Sequence, residues 1–214
     1  MPCYLIIMLF DTLHQNTLRD ILTWRRDVRH FKTDPVAEGL LERLREAMEL
    51  APSVGNARPW RIVRVKSSAL RQSIRDNFEQ ANEKASLLYE DEQKADYSKL
   101  KLAGLDKAPE QFAVFTEIDP SEGHGLGRQT VPETLRQSTA MAVHTLWLAA
   151  RAENLGLGMV SILDPAGIKD ILGVPENWEF SAYLCLGWPE NNKDTPLLHR
   201  EKWQQNTATN WIEK

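Results

Sequence analysis

Apolar residues recur with a helical period across residues 17–26, at Leu18, Ile21, Leu22 and Trp24, and predict an amphipathic helix. A second helix is expected to open at Asp34-Pro35, with the proline in its first turn. Leu40, Leu41, Leu44, Met48 and Ala51 line one face of it, and Pro52 stops it. Residues 61–66 alternate basic with β-branched side chains and predict a strand. A long charged helix follows over about residues 68–94, then a helical stretch over 97–107 that ends before Pro109. Residues 112–118, 159–163 and 180–186 read as further strands, 119–130 as a glycine-rich loop and 165–172 as a short helix.

The pattern changes over residues 132–154. There the stretch 140–150 is apolar almost all round, with His144 and Thr145 as exceptions. A helix of that kind has to be covered on every side, which in a chain of this length predicts sharing with a second copy, a homodimer. Gly156 is expected to end this helix. There is no internal repeat, low-complexity run or interdomain linker. The order of elements predicts an α+β fold with a sheet packed between helices. Residues 1–16 read as an apolar arm and 17–214 as a single domain.

Composition narrows this picture. The 214 residues suit one domain with a substantial core. A net charge of -4 gives no reason to expect nucleic acid. Cys3 and Cys185 are too few for a disulfide framework or a zinc site. The apolar run 1–10 lacks the charged start and cleavage site of a signal peptide and is too short to span a bilayer, so no membrane partner is expected and a cytoplasmic location is.

Three segments carry candidate chemistry. Arg25-Arg26-Asp27-Val28-Arg29 puts three guanidiniums within five residues, able to hold a phosphomonoester by bidentate contacts. The alternative is a solvated helix end in which Asp27 pairs with a neighbouring arginine. The loop from Ala51 to Trp60 offers Ser53, Gly55 and Asn56 in a row before Pro59-Trp60, as a site for a polar planar ligand or as plain turn chemistry. Gly156-Leu157-Gly158-Met159-Val160-Ser161 lets backbone approach a flat ligand closely, or holds Ser161 against nearby backbone. Other patterns fail. In Gly123-His124-Gly125-Leu126-Gly127-Arg128 an arginine stands where a dinucleotide loop requires its third glycine. The five histidines show no metal-ligand spacing, so no metal is expected, and there is no nucleophile elbow.

In this order the three segments resemble the FMN-dependent nitroreductase superfamily, which opens with an Arg-Arg-Ser-x-Arg type motif, follows with a Ser-x-x-Asn-x-x-Pro-Trp type loop and later places a Gly-x-Gly strand beside the flavin. The resemblance covers residues 17–189. Asp27, where ordinary members carry serine, is similar to the branch that forms 5,6-dimethylbenzimidazole, the lower ligand of vitamin B12. The stretches 146–153, 160–162 and 183–187 agree with that branch.

The resemblance implies a nitroreductase-like fold, a central, mostly antiparallel sheet flanked by helices in an intertwined homodimer with flavin sites at the interface. It implies that reduced FMN, supplied by a separate reductase, is broken by dioxygen into 5,6-dimethylbenzimidazole and erythrose 4-phosphate. Arg25, Arg26 and Arg29 then hold the phosphate and ribityl chain, Asp27 and Ser161 are the essential polar residues, and Val28, Ser53, Leu102 and Met159 join the flavin contacts. Cleaving the ribityl chain needs a base, which a carboxylate supplies and a serine does not. Ser161 is expected to orient the ring or steady developing charge. The family's basic residue after the last strand is matched by Arg200, by Lys202 or by neither, and a lid is expected in 83–101. Two other functions remain open: an NAD(P)H-dependent nitroreductase or flavin reductase that retains FMN, and a non-catalytic FMN-binding module.

Overall fold

The computed structural model describes residues 8–90, 93–94, 96–97 and 104–214. Residues 1–7 of the apolar arm and part of the expected lid thus lie outside the described residues. Helix α1 (Thr12–Trp24) begins earlier than its apolar period predicts, because the Asp11 carboxylate caps it by accepting from the His14 amide at 3.0 Å. No residue of α1 is buried, and Leu18, Leu22 and Trp24 stay largely exposed.

Helix α2 (Glu38–Met48) corrects the placing of Pro35, which stands upstream of the helix rather than in its first turn. The intervening Val36 is buried in the core, and the chain has to stay extended to put it there. Leu40, Leu44 and Met48 are buried as expected. Strand β1 (Trp60–Arg64) leads into α3 (Ser68–Ser86), capped by Ser67 and shorter than the predicted charged helix. Of the helix expected over 97–107, Tyr97 and α4 (Gly104–Lys107) are described, and α4 runs into β2 (Glu110–Glu117).

Helix α5 (Thr134–Ala152) does not end on Gly156. Asn154 takes the left-handed conformation at φ +62°, which asparagine tolerates, and the Leu155 amide bonds back to the Ala150 carbonyl at 2.8 Å. Gly156 is thereby released to begin β3 (Gly156–Val160), a strand expected to start at Met159 and run on to Leu163. Helix α6 (Pro165–Leu172) matches its predicted span; β4 (Trp178–Gly187) and the short α7 (Leu197–Arg200) follow.

The sheet has the order β1-β2-β4-β3, and every neighbouring pair is antiparallel. One face carries Val114, Leu157, Ala182, Leu184 and Leu186 against α2 and α5. The other carries Ala113, Phe115, Tyr183 and Cys185, packed with Ile74 of α3, Leu105 of α4, Ile168 of α6 and Phe31. Within the single chain α5 buries Leu135, Ala142, Val143, Leu146 and Ala150 on one side, while Ala140, Met141 and His144 face outward. Full coverage of this helix is therefore not achieved by one chain.

Past α7, Trp203 stands edge-on to Tyr89, their ring centres 5.5 Å apart, and Tyr89 stacks on Tyr97 at 4.9 Å. The Tyr97 hydroxyl donates to Asn82 Oδ1 at 2.6 Å. Among the described residues no helix is long and apolar enough to cross a membrane.

Candidate functional site

The chain leaves α1 at Arg25 in an extended conformation and lies along the outer edge of β3. An edge strand presents unpaired backbone groups that need partners. Residues 27–28 supply them. The Val28 amide donates to the Leu157 carbonyl at 3.1 Å, and the Met159 amide donates to Asp27 Oδ1 at 3.0 Å. The approach is close enough to require glycine. A Cβ on Gly158 would lie 2.1 Å from the Val28 carbonyl oxygen, and one on Gly156 would meet the Val28 side chain at 2.8 Å. The Gly-x-Gly spacing, expected to admit a flat ligand, serves the approach of the arginine segment to the sheet.

Asp27 is held at both oxygens. Oδ1 accepts from Met159, and Oδ2 accepts from Arg29 Nε at 2.9 Å. The pairing expected for a bland helix end is thus present, but at the sheet edge rather than in solvent, with the Arg29 side chain largely buried. Buried Nη1 of Arg29 and buried Nε of Arg26 have no hydrogen-bond partner among the described residues. Burial, then the neighbouring Arg25 charge, pushes the Arg26 guanidinium down from its ordinary pKa. Unpaired buried donors and crowded cations are what an anion would relieve.

Residues 27–29 form a wall between two pockets. On one side Arg25 and Arg26 join Arg151, Lys193 and Arg200. Of the two candidate tail residues, Arg200 therefore lines the arginine pocket and Lys202 does not. On the other side Asp27 and Arg29 share a pocket with Met159, Ser161, Gly104 and Cys185. The structure thus brings together Arg25, Arg26, Asp27, Val28, Arg29, Met159 and Ser161. Ser53 lines neither pocket. Its hydroxyl accepts from the Arg58 amide at 3.1 Å, within a loop fixed to α5 by a 3.0 Å bond from the Val54 amide to the Ser138 hydroxyl. Leu102 lies outside the described residues.

Two residues escaped the sequence reading. Cys185 pairs across the sheet with Gly158 and so lies beneath Asp27. Burial, and secondly the Asp27 charge, pushes its thiol up to about 12. The strand register alone could have found it. Trp147, within the apolar stretch of α5, meets Arg25 with its ring face and the Arg26 carbonyl with its Nε1–H.

The cationic pocket offers charge to an anion, and the Asp27–Ser161 pocket sets a carboxylate and a hydroxyl beside apolar side chains. A carboxylate fixed between an edge amide and a guanidinium can take a proton from a ligand atom placed against it.

The model of the nitroreductase family matches residues 22–188. A 5,6-dimethylbenzimidazole synthase from Rhodobacter capsulatus is 57% identical over 204 residues, 95% of this chain and 99% of that protein. Among solved structures, oxidized iodotyrosine deiodinase bound to FMN and 3-iodo-L-tyrosine aligns with a TM-score of 0.72 at 23% identity, over 92% of this chain and 97% of the other. A BluB-like flavoprotein from Clostridium difficile 630 aligns with a TM-score of 0.66, also at 23% identity, over 84% and 93% of the two chains.

Proposed function

The chain belongs to the nitroreductase family, and we infer that within it the protein acts as a 5,6-dimethylbenzimidazole synthase, using dioxygen to break reduced FMN into 5,6-dimethylbenzimidazole and erythrose 4-phosphate. The observation that carries this reading is 57% identity to a synthase across nearly the whole of both chains. The site agrees with it. Asp27 replaces the serine of ordinary nitroreductases at the point where the chemistry wants a base.

FMN, when bound, supplies the ring that reacts with dioxygen. The chain's own residues do the rest. Arg25, Arg26 and Arg200 hold the phosphate, and Arg29, with its unpaired Nη1, meets the remainder of the ligand. Asp27 accepts the proton that must leave the ribityl chain, and Arg29 beside it fixes the carboxylate through its Nε bond. Ser161, which lines the same pocket, orients the ring, and Val28 and Met159 line it as well.

The working form is a homodimer. The outward face of α5 and the exposed stripe of α1 supply apolar surface for it. A separate reductase delivers the reduced flavin.

The test is anaerobic binding of reduced FMN followed by air. Appearance of dimethylbenzimidazole and loss of flavin supports the synthase. Intact FMN recovered after reoxidation overturns it, and NAD(P)H consumption under those conditions would mark a reductase instead. Asp27→Asn should bind reduced FMN yet form the product about 10²–10⁴-fold more slowly, the usual loss for a positioned base. A near wild-type rate would leave Asp27 as an arginine partner only.

A further inference from the structure

Trp147 makes two contacts with the arginine segment. Its indole lies against the Arg25 guanidinium, 5.0 Å from guanidinium carbon to ring centre, and its Nε1–H donates to the Arg26 carbonyl at 3.3 Å. It also borders both the arginine pocket and the groove along α5 that passes Met159.

Two adjacent cations repel each other, and a long arginine side chain has many ways to swing into solvent. The indole face opposes both tendencies, by attracting the guanidinium and by limiting its orientations. The bond to the Arg26 carbonyl adds a fixed point on the backbone. The extended segment is then tied to β3 through Val28 and to α5 through Arg26, on either side of Asp27.

We propose that Trp147 is a positioning residue for the arginine clamp, presetting Arg25 for phosphate and so setting how strongly the site prefers a phosphorylated flavin over an unphosphorylated one. The proposal rests on the FMN reading above.

The experiment compares FMN and riboflavin affinities in the wild type, W147L, W147F and R25A, with W147L also placed in the R25A background. W147L should weaken FMN by about two- to thirtyfold, the span of a cation–π contact, and leave riboflavin nearly unchanged. W147F, which keeps an aromatic face, should recover most of the loss. In the R25A background W147L should cost FMN little more. An unchanged FMN-to-riboflavin ratio in W147L, or equal loss of both flavins, would make Trp147 a packing residue and overturn the proposal. Should W147L fail to fold, W147F in the wild-type and R25A backgrounds decides the matter, with a small FMN-selective loss expected only when Arg25 is present. A wild type that binds both flavins equally would instead sink the phosphate clamp itself, before Trp147 is at issue.

Discussion

Asp27 owes its position to two bonds that asparagine keeps unequally. An amide oxygen can still accept from the Met159 backbone, but an amide NH₂ cannot accept from Arg29. Asp27→Asn therefore preserves the anchor to β3 while removing the charge, which makes it a cleaner probe than serine, whose shorter side chain reaches less far. Gly158 is the complementary test. Its Cβ would fall 2.1 Å from the Val28 carbonyl oxygen, and the backbone there cannot yield cheaply. Gly158→Ala should lower unfolding stability by about 1–3 kcal/mol and displace Asp27 with it, measurable by denaturant titration and by lost flavin binding. Wild-type stability in that variant would contradict the observed contact. Cys185 gives a pH signature. Its folded thiol titrates near 12 against a reference of 9.0, so the unfolded chain loses this proton first as pH rises. Stability from this group is complete below about pH 9 and drains away between 9 and 12. Replacing Cys185 with alanine should flatten the alkaline limb of a stability–pH curve; an unaltered limb would assign the loss to other groups.

Helix α5 shows how an element can be read correctly and its surroundings not. Its apolar coverage was legible, but which side meets its own sheet and which faces outward depends on the register of four strands. Leu146, within the apolar stretch, is only 8% exposed and belongs to the core of its own chain. Met141, 39% exposed on the outward face, is the better probe. Met141→Glu should leave the monomer folded by circular dichroism and shift sedimentation from dimer to monomer; an unshifted dimer would place the interface elsewhere. The helix ends repeat the lesson. Gly156 looked like a stop, but Asn154 could adopt the left-handed turn, and the glycine was needed where the Val28 side chain crowds β3. Local propensity could not choose between them because the contact partner lies far back in the chain.

At the scale of the whole molecule, the arginine motif was legible because its residues are contiguous and its chemistry is stated by their types. Cys185 and Trp147 were not, since only the folded sheet and α5 bring them to it. Ser53 lies in a loop fixed elsewhere on α5, so one chain assembles part of the expected site. The tail adds a last test. A chain ending at Arg200 keeps the pocket's cation but removes Trp203 from the stack on Tyr89 and Tyr97. It should lose about 0.5–1.5 kcal/mol for each ring contact in urea unfolding and expose Tyr97 to quenchers; unchanged stability would make the stack incidental. That stack joins Tyr89 to a tryptophan that follows all of β2, β3 and β4, and so closes most of the sheet into a loop without a covalent bond. A non-covalent closure of this kind bears the full chain-entropy cost on folding, which a disulfide would have removed from the unfolded state. Among the described residues, Tyr89 and the tail bearing Arg200 are thereby joined by ring contacts alone, so removing Trp203 releases the tail from Tyr89.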